Sequence, residues 1–381
     1  MSKQRKRDPF ISVLVWTLVL ALLAGGAWYG TKHLQDRADE QLAKEQAEVR
    51  AANQAADEAY AREMAAFQAR NATGANLAWP EPEGSGWEIL DLTSYPLEEQ
   101  YTQPIYRQDA LYNGMLLVNE WHSRPEDFRE DSISLVHNYT NKQVRVSGDR
   151  PRLLPAAADA LLSLITTAKV EKLYDTYMVG EGYRTYDEQN TIFQRFVDKY
   201  KNTYSGDALI ERAKKDANYP GTSEFNSGLT FTIRLYKSGD SEVNQKDANF
   251  FTSDEGSYFH ENAWKYGFVF RFPLADYPTQ GTEDKSYKTG VSVKLRAYRY
   301  VGPGNAAVMH ALDLCLEEYI EYLSEHPHIA VFEDGELRYE IVRQYVGDAD
   351  PFSVTLTGKG EVRSTVTSLD NMGFAVTVFE Y

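Results

Sequence analysis

The sequence predicts an α+β fold, preceded by a transmembrane helix and a helical stalk and followed by a β-rich tail. Three observations carry this. Residues 9–30 hold no charged side chain, and residues 31–70 hold no Gly or Pro. Beyond residue 86, segments of helical and strand period are interspersed without the alternating rhythm of βαβ units. From residue 329 onward strand-like runs dominate, with Asp334-Gly335 as a hairpin signal.

The chain has 381 residues with 40 Lys+Arg, 56 Asp+Glu, 7 His and 1 Cys, giving a net charge of −16. At 43% hydrophobic and 25% charged it is an ordinary globular composition, which excludes a disordered, collagen-like or disulfide-rich small protein. The lone Cys315 closes no intramolecular disulfide and builds no Cys-rich zinc site. The acidity argues against broad nucleic-acid binding, which needs a basic face. Lys3, Arg5, Lys6 and Arg7 make residues 1–8 a basic cytoplasmic flank. Setting aside those four and Asp8 leaves 36 basic and 55 acidic residues after position 30, a net −19 for the remainder.

The uncharged run FISVLVWTLVLALLAGGAWYG is long enough for a transmembrane anchor, which needs about 20 apolar residues. Trp28 and Tyr29 near its far end suit the headgroup level, and the basic flank puts the N-terminus in the cytoplasm. The bulk is then extracytoplasmic, in a single-pass arrangement at the cell membrane. A cleaved signal peptide is the alternative. Its apolar core usually spans about 7–15 residues, shorter than this run, although residues 25–27 are small enough for cleavage. A lipoprotein would need a Cys after the apolar run, and none follows closely.

Residues 31–70 are rich in Ala, Glu, Gln and Arg, all strong helix formers, and would reach about 60 Å as a continuous helix. Their weak Ala-heavy stripe favours one solvated stalk over a stalk-mediated dimer. Residues 71–86 form a linker punctuated by Pro80, Pro82, Gly84 and Gly86. The main domain is expected over 87–328 and the β-rich extension over 329–381.

Within the domain, Leu161, Leu164, Ile165 and Ala168 place an amphipathic helix over 155–169. Residues 176–179 look like a strand entering the loop GEGYRT, after which Thr185 and Glu188 have capping-box spacing. Residues 229–236 (LTFTIRLY) alternate like a strand with one buried face. A short helix is expected over 261–266, a strand over 291–300, and one helix over 306–323 with Val308, Leu312, Cys315 and Tyr319 along one side.

Few residues stand out as reactive. There is no phosphate-binding Gly-rich loop, no G-x-S-x-G elbow and no HExxH pair. His326 and His328 are the only close pair, and flanking Pro327 after a helix they read as a solvated helix end rather than a metal site.

Four segments nevertheless stand out together: EGYRTYDEQ (181–189), PGTSEFNSGLTFTI (220–233), NAWKYGFVFRFP (262–273) and TGVSVKLRAYRYVG (289–302). In order, spacing and wording they resemble the VanY-type D-alanyl-D-alanine carboxypeptidases, bacterial zinc peptidases related to the Hedgehog fold. LLVNEWHSRPEDF (116–128) is similar to an upstream segment of that family, and the likeness spans about residues 111 to 325. It implies a small, mostly antiparallel sheet flanked by helices.

The family pattern S-x-H-x-x-G-x-x-x-D supplies two zinc ligands, and E-x-W-H-x-R-Y-V-G supplies the base and the third. A zinc held by imidazoles and a carboxylate lowers the pKa of its water toward about 7, and a Glu takes the proton. Here Ser223, Glu224 and Gly228 fit the first motif, and Arg299, Tyr300, Val301 and Gly302 fit the second. The resemblance puts Phe225, Thr232 and Ala297 at the ligand positions and Lys294 at the base position. It therefore implies that the family zinc is lost, that no cofactor replaces it, and that no catalytic residue is intact. An apolar ring at one ligand position and an ammonium beside the site oppose a dication. In the family the Arg of the GYRS-like motif stabilises the scissile carbonyl. Arg184 stands there, suited to a carboxylate or to bracing its loop with Tyr183 and Gln189.

Arg184, Ser223 and Lys294 are thus the candidate substrate-binding residues. The expected function is a membrane-anchored, catalytically inactive carboxypeptidase-like protein whose degenerate cleft binds a peptidoglycan stem peptide or an envelope protein. The alternatives are an active peptidoglycan D,D-carboxypeptidase with a non-standard site, and a purely structural envelope scaffold.

Overall fold

The computed structural model of the chain describes residues 79–95, 101–148, 150–236, 250–356 and 362–381, with Arg37, Lys44 and Ala47 as isolated helical positions. The expected anchor (9–30), most of the stalk and most of the linker lie outside the described residues. Among the described residues no helix is long and apolar enough to cross a membrane.

The chain divides into two compact units, Met1–Ala51 with Ile192–Ala217, and Ala52–Thr191 with Asn218–Tyr381. In the first, an Arg212 guanidinium lies 3.9 Å from the Tyr200 ring centroid and bonds Asp216 at 2.8 Å, closing the turn of a helical hairpin. The second unit holds two five-stranded sheets, the strand pairs β2 (Tyr101–Ile105) with β12 (Phe352–Leu356) and β3 (Ser134–Leu135) with β5 (Arg152–Leu153), and the candidate site.

The first sheet is built from β4 (Arg145–Val146), β6 (Tyr177–Val179), β7 (Thr230–Leu235), β9 (Ala297–Tyr300) and β8 (Phe268–Phe270), in that spatial order. Only β4 and β6 run parallel. Helices flank it, as the α+β expectation requires. The helix α1 (Pro155–Lys172) begins with Pro at its first turn, where the missing N–H is harmless. It ends at Leu173 in a left-handed conformation with φ of 61°, where the Leu173 N–H donates to the Lys169 carbonyl at 3.2 Å and the Tyr174 N–H to the Ala168 carbonyl at 3.3 Å. Leu161, Leu164 and Ala168 are fully buried against the sheet's Phe231, Ile233 and Val179. Each such leucine contributes about 1.5–3 kcal/mol by leaving water.

The second sheet has the order β1-β10-β11-β14-β13, all antiparallel, from β1 (Trp87–Asp91), β10 (His328–Glu333), β11 (Glu336–Tyr345), β14 (Phe374–Glu380) and β13 (Ser364–Leu369). Asp334 and Gly335 turn the β10–β11 hairpin with φ of 51° and 81°, the two left-handed positions of a tight hairpin turn. The tail is not a separate module. It recruits β1 from the start of the domain, and its Ile329, Val331, Ile341 and Val376 share one apolar core with Val308 and Ile320 of the helices before it.

Three sequence expectations are corrected. The single helix over 306–323 is two helices, α5 (Pro303–Ala311) and α6 (Leu316–Glu325). Asp313 has a φ of 51°, which no helix continues through, and the Glu318 carboxylate accepts the Cys315 N–H at 2.9 Å to cap a new helix. Leu312 accordingly turns outward, 40% exposed. The helix expected over 261–266 is the 3-10 turn Ala263–Tyr266 that follows α4 (Asp254–Asn262), and α4 starts where Ser253 Oγ accepts the Gly256 N–H at 3.1 Å. The strand expected over 291–300 is ladder-paired only from Ala297: β7 runs on past Thr232 to Leu235, where its ladder partner is β6, and the Ile233 N–H still reaches the Arg296 carbonyl at 3.0 Å.

His328 is also not a solvated helix end. It opens β10, is buried, and its Nε2 lies 2.8 Å from Glu340 Oε1. His326 does end α6, where its Nδ1 meets Asp91 at 3.0 Å.

Candidate functional site

The antiparallel register of β7 and β9 sets Thr232 directly opposite Ala297. Cross-strand neighbours of this kind have Cβ atoms about 4.5–5.5 Å apart. Thr232 also ties down the preceding loop. Its Oγ1 accepts the Glu181 N–H at 2.9 Å, its N–H donates to the Glu181 carbonyl at 3.0 Å, and its carbonyl accepts the Gly180 N–H at 2.8 Å.

The third element is the 3-10 helix Glu224–Ser227, which precedes β7. Ser223 opens it: its N–H donates to Asn226 Oδ1 at 3.2 Å, and the Asn226 N–H returns to the Ser223 carbonyl at 2.8 Å. Gly228 closes it at a φ of 73°, and a Cβ there would meet Leu154 Cγ at 3.1 Å, so both conformation and space require glycine. Ser223 is buried in this turn and acts as its cap.

Phe225 sits in the middle of the turn, only 5% exposed. The Arg184 guanidinium carbon lies 4.5 Å from its ring centroid. The backbones are joined as well, with Arg184 N–H to the Phe225 carbonyl at 3.0 Å and Asn226 Nδ2 to the Arg184 carbonyl at 2.7 Å. Within its plane the guanidinium makes two further contacts. One goes to the buried Gln189 Oε1 at 3.2 Å, and the other is an ion pair with the Glu181 carboxylate. Gln189 is held in turn by the Asn218 carbonyl at 2.8 Å, and the helix carrying it starts on the expected Thr185–Glu188 capping box. Arg184 is 23% exposed and Glu181 47%, so a solute can reach the pair.

The structure therefore gathers Arg184, Phe225, Thr232 and Ala297 around one loop and one strand pair. Lys294 is different. It is exposed on the unpaired segment before β9, with its ammonium 5.2 Å from the Tyr277 ring centroid.

Behind this group lies a buried ionic network that sequence reasoning does not pick out. Glu224 bonds Arg271 Nε at 2.9 Å and Thr230 Oγ1 at 2.7 Å, and pairs with Arg299. Arg271 also forks onto Glu317, at 2.9 and 2.6 Å, and Arg299 Nη2 donates to the Gly114 and Leu116 carbonyls at 2.6 Å. All four charged groups are below a tenth exposed. Burial alone would raise the Glu224 carboxyl, but Arg271 and Arg299 outweigh it and hold the group below the usual carboxylate range. Glu224 and Arg299 lie inside the two motifs, which is a signal for them. Glu317 carries none.

The donor set around Arg184 is poor for a metal. At the three clustered positions there is a phenyl ring, a methyl group and one hydroxyl, which the Glu181 N–H already occupies. Among the described residues no group of three His, Cys, Asp or Glu side chains is placed to hold a metal ion. His260 is taken by Tyr298, its Nδ1 lying 3.0 Å from the phenol oxygen.

Comparison with known proteins places this architecture. The family model described as D-alanyl-D-alanine carboxypeptidase (VanY) matches residues 150–302, the stretch that carries Arg184, Phe225, Thr232 and Ala297. A D-alanyl-D-alanine carboxypeptidase of Enterococcus faecium is 32% identical over 275 residues, 71% of this chain and 77% of that one. The putative carboxypeptidase YodJ of Bacillus subtilis is 30% identical over 235 residues, 60% of this chain and 77% of its own. Among solved structures, the D,D-dipeptidase VanXYg in complex with a D-Ala-D-Ala phosphinate analogue shares the fold, with a TM-score of 0.52 at 20% identity over 74% of this chain and 99% of that one. With the register of β7 against β9, the capped turn before β7 and a relative at this identity and coverage, the chain belongs to the VanY D-alanyl-D-alanine carboxypeptidase family.

Proposed function

We propose that this protein is a catalytically inactive member of its family that binds a carboxylate-bearing peptide, a peptidoglycan stem peptide or the tail of an envelope protein, at Arg184. One observation carries the reading. Phe225, Thr232 and Ala297 converge on the Arg184 loop, and none offers the imidazole or carboxylate that holds the family's zinc. The residues present do not fit the family's zinc.

What remains is recognition. Arg184 is a fixed, partly exposed cation, oriented by Gln189 and stacked on Phe225, and a guanidinium so held is suited to a carboxylate. Lys294 supplies a second exposed cation on the segment entering β9. The apolar run 9–30 would anchor the protein, with residues 31–70 as a stalk presenting the domain outside the membrane.

The test is equilibrium binding of a synthetic peptide ending in D-Ala-D-Ala to the full chain, with free D-Ala measured in the same samples. Binding that Arg184→Ala removes, without D-Ala release, is the expected result. Release of D-Ala at a rate dependent on the chain would overturn the reading.

A further inference from the structure

The Arg184 guanidinium already has a carboxylate on it. Phe225 covers one face of it, Nη1 donates to Gln189, and Nη2 is ion-paired with Glu181. A carboxylate that engages Nη2, alone or as half of a bidentate pair in the guanidinium plane, competes with Glu181 for it. The Glu181 backbone is pinned by its two hydrogen bonds to Thr232, so the side chain is presented to Arg184 from three residues away at high effective concentration. The side chain itself is half-exposed, and it can swing into water without disturbing either backbone bond.

From this geometry we propose that Glu181 is a built-in competitor for the ligand carboxylate at Arg184. The site is closed on itself at rest and opens only by exchanging one carboxylate for another. The idea rests on the reading of Arg184 as the ligand-holding cation. Thr232 acts here as a positioning residue, because its hydroxyl fixes the backbone from which Glu181 reaches.

Two consequences distinguish this from a plain brace. Ligands without a carboxylate gain nothing from displacing Glu181. Removing the Glu181 charge tightens carboxylate binding by up to about fivefold, the range open to a half-exposed ion pair.

The experiment titrates the full chain, in detergent, with a D-Ala-D-Ala-terminated peptide as the free acid and as its C-terminal amide. Glu181→Gln and Glu181→Ser are each expected to bind the acid several-fold tighter than the wild type and to leave the amide unchanged. Glu211→Gln, which removes the same charge from an exposed helix beside Lys214, is expected to change neither. Equal acid affinity in wild type and both Glu181 variants, with binding still lost in Arg184→Ala, would overturn the competitor while leaving the binding function in place. No acid binding by any variant would overturn both.

Discussion

Thr232 and Ala297 face each other across β7 and β9, and the Thr232 hydroxyl is spent on the Glu181 N–H at 2.9 Å. At these paired positions the family pattern has Asp and His. The strand pair that would clamp an ion instead ties a loop whose carboxylate neutralises Arg184. On the function proposed above, the frame keeps its geometry with other side chains at the donor positions, and substitution is expected to restore the donors.

The combined change Phe225→His, Thr232→Asp, Ala297→His and Lys294→Glu should therefore create zinc binding at roughly one ion per chain, since three protein ligands with an open position make a catalytic zinc site. Metal content after dialysis is the readout. Thr232→Asp alone, with one ligand restored, should retain none.

Glu224→Gln should cost about 3–5 kcal/mol of stability, because Arg271 and Arg299 would be left buried without their full counter-charge. Glu321→Ala, which breaks the exposed pair with Lys288, should cost no more than about 1 kcal/mol. Denaturant midpoints of the two variants compare the cases directly, and similar losses would contradict the role given to the network.

His260 should make the fold acid-sensitive. Burial, with His310 adding to it, pushes its pKa down to about 4, against roughly 6.5 in an unfolded chain. The folded state therefore favours the neutral ring. Its contribution is complete above the unfolded value and fades as pH falls from there toward the folded one. Between pH 7 and 4.5 the wild type should lose about 2–3 kcal/mol more than His260→Phe, which has no proton to gain. Parallel losses would remove His260 from the account.

Much of this was legible in the residues. The apolar face of α1, the Thr185–Glu188 cap and the Asp334-Gly335 turn are local signals, and each element formed where its signal lies. The convergence of Arg184, Phe225, Thr232 and Ala297 was readable only through motif order, since 113 positions separate Arg184 from Ala297 and no local periodicity links them. The break at Asp313 was hidden because the apolar pattern runs on through Leu312, although Cys315 and Glu318 have the spacing of a cap. The start of α4 has its own local signal in Ser253 followed by two acidic residues. Glu317 gave none, because a carboxylate early in a helix ordinarily faces water, and only the tertiary approach of Arg271 explains its burial.

On the proposed function, this chain keeps the carboxypeptidase frame without its metal. The most direct measurement is the zinc content of the full chain after loading with zinc and dialysis. Retained zinc far below one equivalent is expected, in the wild type and in Arg184→Ala alike. One tightly held zinc per wild-type chain would contradict it.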